Sequence, residues 1–131
     1  MGMMLKIKDE TSTGKFISER LVEFSIECIT VKTLIETRVT QEVVSYNAET
    51  GGQFFGLVQP TESEKMLNGF RLKQGALVDI EKQKQAAIRA FKSNAFFLLI
   101  NDKQVTELED EIIITPSTVV VFLKLIPLVG G

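Results

Sequence analysis

Few side chains in this chain could carry chemistry unaided. Cys28 supplies the one thiol, and a thiolate is the best acyl-accepting nucleophile among side chains near neutral pH. Val22, Phe24, Ile26 and Cys28 alternate with Leu21, Glu23, Ser25 and Glu27, which puts Cys28 on the apolar side of a strand and predicts a small core residue instead. The carboxylates Glu107, Glu109, Asp110 and Glu111 could gather round a cation, yet their spacing fits no ligand loop and reads as a solvated turn. Gly51-Gly52 and Gly56 lack the Lys-Ser or Lys-Thr pair that completes a phosphate loop. The sequence contains no His and no Trp, so His-dependent triads, His-ligated zinc and imidazole acid/base chemistry are all excluded. A single cysteine also excludes an internal disulfide and a multi-cysteine metal site. No catalytic residues, metal site or resident cofactor are expected, and the protein is not read as an enzyme.

With 131 residues the chain has the length of one ordinary domain, able to bury roughly two-thirds of its extended surface. Hydrophobic residues at 44% and charged residues at 24% are globular proportions, which argues against disorder. A net charge of -2 is too balanced for a dedicated nucleic-acid binder. Lys6, Lys8 and Asp9 interrupt the first apolar residues too early for a signal peptide. The most apolar stretch, Val119 to Val129, has about half the length of a membrane span and carries Lys124 in its middle. These features predict a cytoplasmic protein, with neither a membrane nor a nucleic acid among its partners.

Met3 to Lys8 and Phe16 to Thr30 flank the turn-prone Asp9-Glu10-Thr11-Ser12-Thr13-Gly14, which predicts an opening hairpin. From Val31 to Asn47 the period becomes helical: Leu34, Ile35, Val39, Val43 and Tyr46 form one stripe, while Lys32, Glu36, Arg38 and Glu42 are read as lying off it. Gly51-Gly52 ends that segment. Residues 53–79 read as an irregular insertion of short elements, with Pro60, a capping box at Thr61 and Glu64, and breaks at Gly69 and Gly75. A second helix is predicted over Asp79 to Ser93, with Ile80, Lys84, Ala87, Ile88 and Phe91 on one face. Ala95 to Ile100 is an unbroken apolar run, predicted to be a strand buried on both faces. A turn at Asn101-Asp102-Lys103-Gln104 follows, then strands at Ile112 to Thr115 and Thr118 to Leu125.

This order suits an α+β fold in which one mixed sheet packs on a principal helix. A hairpin, a helical crossover and further strands resemble the ubiquitin-like β-grasp family. The final residues sharpen the likeness, because a buried strand, an acidic turn, a short strand and a last strand lead to Ile126-Pro127-Leu128-Val129-Gly130-Gly131. Ubiquitin and the molybdopterin and thiamin sulfur carriers end in a similar way. The resemblance implies a single β-grasp domain over 1–125, enlarged by the insertion at about 53–79, with a flexible tail over 126–131. The basic residues that precede the diglycine of ubiquitin are missing here, and Pro127 with Leu128-Val129 is closer to the sulfur carriers.

On that resemblance, Gly130 and Gly131 are the acyl-donor tail, and Val129, Leu128 and Pro127 are the part gripped by an activating enzyme. A carboxylate becomes an acyl donor once it is adenylated, and glycines without a β-carbon can thread a narrow nucleotide site and leave the carbonyl open to attack. Six extended residues span about 20 Å at roughly 3.3 Å per residue, a useful reach into a partner. Pro127 would make the chain leave the sheet. ATP and magnesium would belong to the activating enzyme, and conjugating and deconjugating enzymes and a protein target complete the implied partners. One alternative is a sulfur carrier with a C-terminal thiocarboxylate. Another is a non-covalent interaction module, with Phe54, Phe55, Leu57 and Val58 either as its apolar contact or as ordinary core.

Overall fold

The computed structural model describes residues 2–13, 15–49, 53–54, 56–60, 63–65, 70–72 and 77–125. In chain order its elements are β1 (Met3–Thr11), β2 (Phe16–Phe24), β3 (Cys28–Thr30), α1 (Val31–Glu49), β4 (Gln53–Phe54), β5 (Ser63–Lys65) and β6 (Phe70–Leu72). They continue with α2 (Ile80–Lys92), β7 (Phe96–Ile100), β8 (Lys103–Val105), β9 (Glu111–Ile113) and β10 (Val119–Lys124). Among the described residues, the fold is α+β, with a mixed five-stranded sheet and two helices. The chain divides into two compact units. One comprises the residues up to Val31 together with those from Phe91 onward, and the other comprises Lys32–Ala90. Among the described residues, no helix is long and apolar enough to cross a membrane.

In the first unit the strand order is β2-β1-β10-β7-β8. The opening hairpin pairs β1 with β2 from Met3↔Phe24 to Glu10↔Phe16, with an irregularity at Asp9/Glu10. β10 runs parallel to β1 over Lys6↔Val119 to Thr11↔Lys124 and antiparallel to β7 over Val120↔Ile100 to Lys124↔Phe96. β10 is therefore the middle strand of the sheet. The registers Leu5↔Val22, Ile7↔Val120 and Phe122↔Leu98 bring these six fully buried side chains to one face. Phe91, Phe96 and Phe122 extend that core, with successive ring centroids 6.0 and 5.8 Å apart. The apolar run at Ala95 to Ile100 is buried on one face only: Phe96 and Leu98 are buried, while Phe97 and Leu99 are half-exposed. Period-two geometry sends alternate side chains to opposite faces, and only one of these is fully covered.

Two short pairings complete this unit. The turn expected at Asn101-Asp102-Lys103-Gln104 is tighter than that. Asn101 and Asp102 alone make it, at φ 49° and 68°, and Lys103 already begins β8. Asn and Asp tolerate such left-handed angles better than other residues with a β-carbon. β3 and β9 form a separate two-stranded sheet through Cys28↔Ile113, Ile29↔Ile112 and Thr30↔Glu111.

In the second unit, α1 keeps the predicted helical period with a different cast. Val31, Leu34, Ile35, Arg38, Val39, Glu42 and Val43 are all buried. The successive three- and four-residue steps define one continuous stripe, so Arg38 and Glu42 lie on it, contrary to the sequence reading. The insertion contains a three-stranded antiparallel sheet of order β4-β6-β5. Glu64, expected to close a helical capping box, is instead in β5. α2 begins under Asp79, whose Oδ1 accepts the Lys82 backbone N–H at 3.0 Å, the pattern of an N-cap.

Candidate functional site

The predicted acyl-donor tail, Pro127, Leu128, Val129, Gly130 and Gly131, lies outside the described residues. Its point of departure does not. β10 ends at Lys124 opposite Thr11 of β1 and Phe96 of β7, so the last residue of the strand is held from both sides. The Lys124 carbonyl accepts the Ser12 backbone N–H at 2.9 Å. The Lys124 Nζ lies 3.6 Å from Asp9 Oδ2, an ion pair in which Asp9 is only 2% exposed. A buried carboxylate needs such a partner, because burying a lone charge costs several kcal/mol, about enough to consume the stability of a small domain. The irregularity at Asp9/Glu10 thus sits beside an anchor for the end of β10.

The residues predicted for partner contact fare differently. Phe55 is outside the described residues. Phe54 is 2% exposed and meets Tyr46 edge-on, with ring centroids 5.4 Å apart at 84°. Leu57 is buried and Val58 half-buried. Phe54 and Leu57 therefore belong to the interior of their unit.

What holds them is a polar network that the sequence reading missed. Arg38 Nε donates to Glu42 Oε1 at 2.6 Å with both side chains almost wholly buried, and Glu42 Oε2 accepts the Leu57 N–H at 2.8 Å. The Glu42 carboxylate thus serves two donors, one charged and one from the backbone. Asn47 spans the other end of the insertion, donating from Nδ2 to the Val78 carbonyl at 3.0 Å and accepting the Val78 N–H on Oδ1 at 2.9 Å. Buried Gln83 on α2 donates to the Val58 carbonyl at 3.1 Å. Three side chains from two helices therefore satisfy backbone groups of segments with few strand partners. The signal was available in the unbroken three-four spacing from Val31 to Tyr46, which passes through Arg38 and Glu42.

Cys28 is exposed, which corrects its placement in the core. The alternation of β2 ends at Phe24. Across Ser25-Ile26-Glu27 the chain bends and rejoins strand structure as β3, one residue out of phase, so Ile29 is buried and Cys28 is not. The Cys28 Sγ lies 3.5 Å from Glu111 Oε2. Local desolvation first, then the hydrogen bond to Glu111 and its negative charge, raise the thiol above its ordinary titration range. Such a thiol is less often a thiolate, the opposite of what a nucleophile requires. The acidic turn is structural: Asp110 donates its N–H to the Glu107 carbonyl, and its own carbonyl accepts the Val31 N–H at 2.9 Å. Among the described residues, no group of three or more His, Cys, Asp or Glu side chains could hold a metal ion. Comparison of the chain with protein-family models, with curated proteins and with solved structures returns no match.

Proposed function

We propose that this chain is a ubiquitin-like β-grasp protein modifier, activated at Gly131 by an ATP-dependent partner and conjugated to target molecules. The observation that supports this most is the place of β10. After a hairpin and a helical crossover, the last strand among the described residues enters the middle of a mixed sheet, parallel to the first, and the residues that follow it in sequence are Leu125 to Gly131. The element order agrees with the β-grasp reading, and the anchored end of β10 suits a domain that presents a reactive terminus to another protein.

In this reading the catalytic groups belong to partners. The Gly131 carboxylate attacks the α-phosphate of ATP and releases pyrophosphate. A thiolate of the activating enzyme then displaces AMP from the acyl adenylate to form a thioester. An amine or hydroxyl of the target finally displaces that thiolate. The contribution of this chain is a carboxylate without a flanking β-carbon, and a folded body for recognition.

The test is ATP-pyrophosphate exchange with an activating enzyme encoded beside this chain, followed by mass spectrometry of the C-terminus. Wild type should support exchange and acquire a thioester partner, and deletion of Gly131 should abolish both. A C-terminal mass gain corresponding to sulfur in place of oxygen would identify a sulfur carrier instead. Equal exchange by wild type and the deletion would overturn the acyl-donor assignment.

A further inference from the structure

A cleft of about 360 Å³ lies in the second unit, between one side of α2 and the segment at Gln59-Pro60. Its helix wall is the row Lys82, Gln85, Ala86 and Arg89. Buried Gln83 and Pro60 form the floor, and Gln59, Lys82, Gln85 and Arg89 stand exposed at the rim. Among the described residues, the lining contains two cations, three amides and no carboxylate, in a chain whose net charge is -2. Among the described residues neither Lys82 nor Arg89 is ion-paired, whereas Lys84 of the same helix is paired with Glu81 at 3.6 Å.

Seven residues of helix bring Lys82 and Arg89 back to almost the same side, about 10 Å apart along the axis. In an extended polyproline-II segment, with three residues per turn and a rise of about 3.1 Å per residue, residues three apart share one side and lie about 9 Å apart. Between the two charges, Ala86 leaves a shallow apolar step, and the Gln85 amide can both donate to and accept from a peptide backbone.

We propose that this cleft binds an extended acidic segment of a partner protein, with Lys82 and Arg89 pairing two carboxylates three residues apart. Charge complementarity selects this occupant: the two cations match two side chains on one peptide, while the amide and the methyl-sized step match the chain between them. The assignment stands independently of any chemistry at Gly131. The ion pairs would be exposed, so each contributes about fivefold at most, and binding is weak and salt-sensitive.

The test is titration of the isotope-labelled full chain with short Gly/Ser peptides, followed by backbone amide shifts in NMR spectra. A peptide with two glutamates three residues apart should move the amides of Lys82, Gln85, Ala86 and Arg89. Replacing both glutamates by glutamine should abolish the effect, and placing them adjacent should weaken it. Lys82→Ala and Arg89→Ala should each weaken binding about two- to fivefold, whereas Lys103→Ala should not. The spectra report whether each variant is folded, and the peptide series on wild type needs no variant. Equal shifts with the glutamine peptide, or indifference to spacing, would overturn the proposal. So would shifts at these residues with inorganic phosphate or ATP but none with the peptide, because the cleft would then be a small-anion site.

Discussion

The buried pair between Arg38 and Glu42 yields the sharpest quantitative expectation. Glu42→Ala removes the carboxylate that neutralises Arg38 and also accepts the Leu57 N–H. Removing one partner of a buried ion pair typically costs about 3–5 kcal/mol, and an orphaned backbone donor about 1–3 kcal/mol. These terms overlap, because water admitted to the space serves both groups, so a net loss of about 3–5 kcal/mol is expected. That is a large part of the roughly 5–15 kcal/mol available to a domain. The double variant Arg38→Met with Glu42→Gln should behave quite differently. Methionine fills most of the arginine volume without charge, and the glutamine oxygen can still accept from Leu57, so stability should lie within about 1 kcal/mol of wild type. Urea denaturation followed by circular dichroism, with slopes checked for constancy, compares wild type, Glu42→Ala, the single variants Arg38→Met and Glu42→Gln, and the double variant. A loss below about 1 kcal/mol for Glu42→Ala, or a double variant as damaged as the sum of its parts, would refute the placement of this pair in the interior.

Other expectations test neighbouring steps. A β-carbon on Gly56 would overlap the Phe54 ring and come within 2.6 Å of Glu42 Oε2, so Gly56→Ala should lose about 1–3 kcal/mol in the same denaturation assay. Asn94 has φ 61° just beyond α2, so Asn94→Ala should be about 1 kcal/mol less stable than Asn94→Gly, as thermal or urea unfolding would show. The midpoint of the pH–rate profile for Cys28 alkylation should lie above that of the unfolded chain. Glu111→Gln should bring it down, and an unchanged midpoint would remove Glu111 as a cause.

Where one physical signal dominated, the sequence was readable. The Val31 and Ile80 helices and the strands at Phe96–Ile100 and Val119–Lys124 follow from their periods and apolar runs. The errors arose where burial and polarity conflict. Charge alone places Arg38 and Glu42 in solvent, whereas their spacing puts them on the buried stripe. Continuing the alternation through Ser25-Ile26-Glu27, where the chain bends, places Cys28 in the interior, whereas it is exposed. A one-residue slip of phase exchanges the two faces of a strand, so no local property of Cys28 could reveal it. The insertion resisted for another reason. Its strands are only two or three residues long, too short to display a period, and its backbone groups are satisfied in part by Glu42, Asn47 and Gln83.

The position of β10 bears on how the proposed function can be tested at all. A terminal strand at a sheet edge would couple changes near the terminus to fraying of the sheet. Here the last strand among the described residues is the middle one, with six register pairs to β1 and five to β7. The Lys124 carbonyl and side chain are both engaged, by Ser12 and Asp9. Separating this strand requires breaking both ladders, and that approaches global unfolding. Perturbations therefore fall into two groups. Asp9→Asn weakens the ion pair with Lys124 and should lower stability, with any loss of exchange following the folded fraction. Deletion of Gly131 removes the proposed reactive carboxylate six residues beyond Leu125, and it should abolish exchange while the urea midpoint stays where it was.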